Sequence, residues 1–394
     1  MKILIISQYF YPENFLINDI AFELARTNEK VVVITGLPNY PWGKCLKDYK
    51  PKSKRKEIIN GVEVYRCFET NRKNSAISLS INYLSFVMSA SRQIKKINGE
   101  FDFVFCYQVS PITQAIPVLK YKKKNKNIPT ILYCLDLFPE SVKSHVKDGG
   151  LIYKLVHRIS KKIYNSFDKI AVTSESFIPY LTKVNNVQNN KIFVLHQHGV
   201  DFQNKSIKKE ENSKKIFLFA GNIGYAQNLE VIIKAVESIK QYSDFVVMII
   251  GDGSRLEYIK KIVQDKKIDD HFVFLGRKNR EELMNLYAAA DVLLLTLRGD
   301  NYVCNTIPGK FQSYLSVGKP IFAAINGDTA KLINKSKCGL SVESDDYKGL
   351  SILMRDYLNN PSNFECYGDN SRKLFEKEFT LDAFIKRLME IIDL

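Results

Sequence analysis

Short apolar runs alternate with stretches of helical periodicity along the chain, and each change of period marks a change of element. In the first half the strand-like runs are residues 2–6, 30–35, 101–106, 130–134, 169–173 and 192–195. Helical patterns lie between them at 14–27, 75–96, 112–124, 151–166 and 176–184. Such alternation predicts βαβ crossovers and a parallel sheet. Residues 57–67 depart from it. Asn60-Gly61 sits between two alternating runs there, a hairpin signal that predicts an antiparallel excursion.

Residues 202–215 (FQNKSIKKEENSKK) carry no buried pattern and read as an interdomain linker. The alternation then restarts, with strands expected at 216–220, 245–250, 272–275, 292–296 and 320–323. Helices are expected at 229–241, 255–265, 280–290, 310–317, 347–359 and 361–378, with a last one at 381–392. The fold class is α/β, with two Rossmann-like doubly wound domains at residues 1–201 and 216–379. Two such domains on one linker face each other across a cleft, and ligands of such sheets bind at the carboxyl ends of the strands. The loops after strands are therefore where chemistry is expected.

Composition narrows the class. A chain of 394 residues, 45% hydrophobic and 25% charged, is globular and long enough for two cores. Cysteines at 45, 67, 106, 134, 304, 338 and 366 form no C-x-x-C pair and read as buried thiols in a reducing compartment. The apolar run after Met1 stops at Ser7, as a strand does and a signal peptide does not. No apolar run reaches the roughly 20 residues that span a bilayer, so a cytoplasmic location is expected. The net charge of +16, from 58 Lys+Arg against 42 Asp+Glu, favours an anionic partner; a lysine-rich coding bias is the other source. The lysines are dispersed rather than set in a stripe with interleaved aromatics, so nucleic acid is not the expected partner.

Residues 301–322 (NYVCNTIPGKFQSYLSVGKPIF) hold the strongest candidate chemistry. Ile307-Pro308-Gly309-Lys310 falls where a helix should begin. A helix N-terminus offers unpaired N–H groups and a positive dipole end, which suit a diphosphate, and Lys310 adds a full charge. The same pattern also fits an ordinary loop before an amphipathic helix. Gly221-Asn222-Ile223-Gly224 follows the strand after the linker, where two glycines allow close backbone approach to a diphosphate or sugar. Gly251-Asp252-Gly253 follows the next strand as a common turn, and Gly276-Arg277 the one after, where a nucleobase can be held. In the first domain Glu13 follows the first strand, Gln108 and Ser110 the third main strand, and Asp136 and Glu140 the fourth. These suit acid/base work or sugar hydroxyls, although Asp136 equally caps a turn before Pro139. The five histidines form no ligand set, and no D-x-D, P-loop, G-x-G-x-x-G or G-x-S-x-G occurs at these loops.

Ten segments in order, from MKILIISQYFYPEN through TGLPNYPWGK, INGVEVYR, YQVSP, LDLFPES, FAGNIGYAQNL, IIGDG, FLGR, YAAADVLLLTL to IPGKFQSYLSVGKPI, resemble a GT-B glycosyltransferase of the large retaining family 4. The branch most similar is that of bacterial O-antigen and capsule transferases for L-fucosamine (FucNAc). The resemblance implies a nucleotide-sugar donor in the C-terminal domain and a lipid-linked saccharide acceptor in the N-terminal domain. It implies no cofactor and no metal, and a final segment, 380–394, that crosses back to the first domain. The family's glutamate pair falls on Asn305 and Ser313, and its arginine and lysine after the linker strand on Asn222-Ile223 and Gln227-Asn228. Neither replacement is charged, so Lys310 is left to hold the diphosphate.

The expected catalytic residues are Lys310 for the leaving group and Asp136 and Glu13 for the acceptor hydroxyl. Donor contacts are expected from Gly221, Asn222, Gly224, Gly251, Arg277, Asn305, Thr306, Ile307, Pro308, Gly309 and Ser313, with Gln108 as a further polar contact. Helix 75–96 carries Ile77, Leu79, Ile81, Leu84, Phe86, Val87 and Met88 beside Arg72, Lys73, Arg92, Lys95 and Lys96. Its apolar side is either core or a surface resting on anionic lipid. The expectation is peripheral docking at the inner face of the cytoplasmic membrane, toward a polyprenyl-diphosphate-linked acceptor. A nucleotide-sugar 2-epimerase of the same architecture is the alternative.

Overall fold

The computed structural model describes residues 1–27, 29–50, 52–72, 75–97, 100–142, 149–202, 214–299 and 306–394. The expected linker 202–215 and Asn305 therefore fall largely or wholly outside the described residues. The chain divides into two compact units, Met1–His196 with Ile385–Leu394, and Gln197–Phe384.

The first unit is built on eight strands: β1 (Lys2–Ile6), β2 (Lys30–Thr35), β3 (Lys56–Ile59), β4 (Val62–Arg66), β5 (Phe103–Gln108), β6 (Thr130–Cys134), β7 (Lys169–Val172) and β8 (Ile192–Val194). Their order is β3-β4-β2-β1-β5-β6-β7-β8. β5 and β6 are buried at every position, because a parallel sheet covered on both faces needs apolar side chains on both. Only β3 runs antiparallel, paired to β4 through Asn60 and Gly61 at φ 47° and 82°, the left-handed pair that a tight hairpin requires. β4 then returns parallel to β2, so the expected excursion adds one edge strand.

The second unit contains β9 (Lys215–Ala220), β10 (Phe245–Ile250), β11 (Phe272–Gly276), β12 (Val292–Thr296), β13 (Ile321–Ala324) and β14 (Gly339–Val342), all parallel. Their order is β11-β10-β9-β12-β13-β14, which reverses between β9 and β12. One core cluster joins Phe217, Ile232, Val247, Leu294 and Phe322 on one face; another joins Leu218, Leu293, Leu295, Phe311 and Tyr314 on the other.

Four elements differ from expectation for local reasons. β5 runs on to Gln108 because Tyr107 and Gln108 keep pairing with Tyr133 and Cys134. The expected helix 112–124 is a 3₁₀ turn, Ile112–Ala115, followed by a helix, Ile116–Lys122, with Pro117 in its first turn. The strand β14 and the helix Asp328–Ser336 had no counterpart among the expected elements; GLSV is too short, and DTAKLINKS too polar, to stand out. Four of the six described cysteines are buried, Cys45 is half-buried, Cys366 is exposed, and all six are free.

The helix Ala76–Gln93 buries Phe86, Val87 and Ala90, and turns a second apolar stripe to solvent at Ile77, Ile81, Leu84 and Met88. Among the described residues no helix is long and apolar enough to cross a membrane.

The turns after β9 and β10 approach each other closely. Gly221 and Gly251 hold φ of 151° and 135°, and a Cβ on Gly251 would stand 1.8 Å from the Gly221 carbonyl oxygen. Gly251→Ala is expected to lower unfolding stability by about 3 kcal/mol through this backbone clash. Gly276→Ala, at φ 65° with open space around it, should cost only about 1 kcal/mol. Urea midpoints of the two variants measure the difference.

Candidate functional site

A cavity of about 450 Å³ lies at the carboxyl ends of β9, β10 and β11 in the second unit. Its floor is the pair of glycine turns. Gly221 N–H donates to the Ile250 carbonyl, Ile223 N–H to the Asp252 carbonyl and Gly251 N–H to the Gly276 carbonyl. These amides are engaged within the fold, so the expectation that the 221–224 loop offers its amides to a diphosphate is corrected for Gly221 and Ile223. What the glycines supply is space.

The far wall is the N-terminus of the helix Gly309–Val317, with Pro308 as its cap and Gly318 in the left-handed conformation closing it. Phe311, Tyr314 and Leu315 bury one side of it. The Tyr314 hydroxyl accepts from Ala220 N–H at 2.8 Å, which pins the helix to the last residue of β9. The Gly309 and Lys310 amides lie in the first helical turn, where orphan N–H groups collect.

Lys310 reaches back over the glycine floor. Its Nζ lies 4.0 Å from the centre of the Phe219 ring and donates to Gln227 Oε1. A Cβ on Gly221 would stand 3.3 Å from both Cε and Nζ. Burial lowers its pKa to about 7, because a desolvated ammonium is disfavoured and, among the described residues, no carboxylate pairs with it.

The cavity thus gathers Gly221, Asn222, Gly251, Arg277, Gly309, Lys310 and Ser313 from three separate loops and one helix. Ser313 donates weakly to the Gly309 carbonyl at 3.4 Å. Arg277 forms an exposed ion pair with Asp252 at 3.5 Å, of the solvated kind that contributes little stability. Gly224, Thr306, Ile307 and Pro308 do not line it; the last three form the approach to the helix. Sequence reasoning missed Phe202 and Tyr287, whose rings meet at 5.1 Å on the cavity wall. Phe202 was legible only as the one aromatic in a lysine-rich run.

In the first unit Asp136 follows β6 and is half-buried. Desolvation raises its pKa, opposed by a hydrogen bond from the Ser110 backbone. Gln108 is wholly buried inside β5, where its amide braces the Val109 and Asp136 carbonyls. That corrects the expectation of a ligand contact, since its side chain is enclosed by the extended strand. Glu13 is 3% exposed, and its Oε1 accepts the Asn39 and Tyr40 N–H groups at 2.8 and 2.6 Å. Burial raises its pKa to about 7. It was expected at the ligand surface and instead anchors the loop after β2.

Residues 201–374 match the family model described as "Glycosyl transferases group 1". The matched segment lies within the second unit. The group 1 match starts at Asp201 and ends within the helix Glu365–Glu378, and it includes the whole cavity wall. The chain is 23% identical over 308 residues to the O-antigen chain mannosyltransferase C of Escherichia coli, covering 76% of this chain and 77% of that one. It is 23% identical to the putative colanic acid biosynthesis glycosyl transferase WcaI of Escherichia coli K12, over 98% and 99% of the two chains. Anabaena HepE in complex with UDP superposes with a TM-score of 0.72 at 12% identity, covering all of both chains. The fold is GT-B, and the match to group 1 glycosyl transferases covers residues 201–374. The epimerase alternative draws no support from these matches.

The Lys310 ammonium gives a pH signature. Unfolded lysine stays protonated to about pH 10.4, while the buried group releases its proton near 7. Between those values the unfolded chain binds the extra proton, so stability attributable to this site rises with pH. Lys310→Met is expected to remove that rise. Parallel urea titrations between pH 7 and 10 would show the two curves converging toward alkaline pH.

Proposed function

We propose that the protein is a retaining, metal-independent glycosyltransferase that takes a nucleotide sugar in the cavity of the second unit. The acceptor is a polyprenyl-diphosphate-linked saccharide in O-antigen or capsule assembly. A UDP-activated N-acetylated 6-deoxyhexosamine such as L-FucNAc is the donor class favoured by the resemblance. The observation that carries the reading is Lys310, an ammonium set over glycine beside a helix N-terminus. A donor diphosphate in this cavity places negative charge against that nitrogen and raises its pKa, so the bound state holds a full cation.

Departure of the nucleoside diphosphate leaves an oxocarbenium-like sugar and concentrates charge on phosphate oxygens. Lys310 and the Gly309 and Lys310 amides stabilise that charge as it develops, which is where electrostatic catalysis is largest. The acceptor hydroxyl attacks from the face the leaving group vacates, and its proton passes to a departing phosphate oxygen or to Asp136. Desolvation raises the Asp136 pKa above the ordinary carboxylate range, which makes it a better proton acceptor than a solvated aspartate.

The membrane part of the reading rests on exposed side chains. Ile77, Ile81, Leu84 and Met88 are apolar and solvated, and Arg92, Lys95 and Lys96 are exposed at the end of the same helix. The helix Leu151–Ser166 adds exposed Leu151, Ile152 and Leu155 beside Arg158 and Lys162. Aliphatic side chains fringed with cations suit the surface of an anionic bilayer.

Lys310→Ala is expected to keep its fold by circular dichroism and lose about 100-fold or more in kcat. Wild-type turnover should be unaffected by EDTA; loss with EDTA and recovery with magnesium would reject the metal-free reading. Ile81→Asp with Leu84→Asp should abolish sedimentation with anionic vesicles at low salt and leave turnover of a water-soluble acceptor unchanged.

A further inference from the structure

One loop of the first unit is tied down far more firmly than a surface connection needs. Residues 36–43 leave β2 and carry Tyr40 and Trp42. Glu13 holds the Asn39 and Tyr40 backbone N–H groups, and Glu69 takes the Asn39 side-chain amide at 2.5 Å and Gln8 Nε2 at 2.9 Å. Both carboxyls are buried, at 3% and 5% exposure, and desolvation raises both pKa values. The backbone leaves no slack. A Cβ on Gly36 would meet the Glu69 carboxyl at 2.7 Å, and one on Gly43, at φ 75°, would meet the Arg72 carbonyl at 2.4 Å.

What this clamp presents to water is aromatic. Tyr40 is 41% exposed and Trp42 is 60% exposed. The Tyr40 ring is backed by Tyr9 at 5.7 Å, Phe15 at 5.4 Å and the Arg72 guanidinium at 5.2 Å. Burying two carboxyls is costly unless hydrogen bonds compensate, and three of the four bonds named here fix this loop. A fluid bilayer has no use for a fixed loop. A sugar does, because a pyranose offers one C–H face to stack and hydroxyls whose partners must be in place. The loop also lies at the carboxyl end of a parallel strand, where such sheets bind ligands.

We propose that Tyr40 and Trp42 form a saccharide-binding shelf, on which a pyranose ring of the acceptor stacks. Glu13, Glu69 and Arg72 are its positioning residues. The inference rests on the acceptor reading above, which gives the first unit a sugar to bind.

Trp42 is the chain's one tryptophan, so its fluorescence reports this loop alone. The full-length protein is titrated with methyl glycosides of hexoses, 6-deoxyhexoses and N-acetylhexosamines, and separately with phosphatidylglycerol vesicles. At least one glycoside should shift the emission saturably, and Tyr40→Ala should weaken that binding about tenfold. Glu13→Ala should weaken it likewise, while Glu13→Gln, which keeps an acceptor oxygen, should restore it. No response to any glycoside, or a blue shift with vesicles alone, overturns the shelf; the second outcome makes Trp42 a lipid contact. Thermal stabilisation by UDP, measured on the same protein, separates this failure from failure of the donor reading. UDP binding without glycoside binding removes only the shelf, and the reverse removes only the donor site.

Discussion

The structure turns on how a single cation is kept ready for an anion. A lysine beside a permanent carboxylate would be charged but neutralised. A lysine left in water would be charged but screened. Lys310 is neither: its ammonium lies over an aromatic ring, touches one neutral amide oxygen and sits against a glycine. Burial depresses its pKa to about 7, so much of its charge is supplied only when an anion arrives. The glycine turns serve this arrangement. Gly221 leaves the room the ammonium occupies, and Gly251 lets the second turn pass within contact of the first. Tyr314 then fixes the helix that carries the lysine to the end of β9.

Both units place their candidate residues by the same geometric rule. In each sheet the order of the parallel strands reverses beside the first strand, between β1 and β5 and between β9 and β12. Crossover helices on either side of that reversal diverge, which opens a crevice at the carboxyl ends. Gly221 follows β9 in the second unit. Tyr9 and Glu13 follow β1 in the first, and Ser110 follows β5 and donates its backbone N–H to Asp136. Charge is then arranged oppositely. The second unit offers an ammonium and helix amides, suited to a phosphate; the first offers half-buried or buried carboxyls with raised pKa values, suited to holding hydroxyls and protons.

The alternation of apolar runs and helical periods carried the architecture because the inner strands, β5, β6, β12 and β13 among them, are buried at every position. β1, β2, β6, β10 and β12 begin and end where the pattern changes. The pattern carried less where pairing rather than hydrophobicity set the end. Gln108 reads as a loop residue from its polarity, yet the ladder to Cys134 draws it into β5 and buries it. Glu13 shows the same limit. A carboxylate on a loop after a strand reads as a ligand group, and nothing near it in sequence shows that Asn39 and Tyr40, far along the chain, will aim two N–H groups at it. The resemblance to GT-B enzymes rests on ordered motifs rather than on single polar side chains, and its implied fold is the one observed. It also marked the missing charges at 222–223 and 227–228.

Gln227 stands in one of those uncharged stretches, and it accepts a hydrogen bond from Lys310. The ammonium comes to this loop from the helix Gly309–Val317, which follows β12. A neutral Gln227 suits that contact: a second ammonium there would repel the first, and a carboxylate would neutralise it. An amide oxygen instead holds the nitrogen beside Gly221 without cancelling its charge.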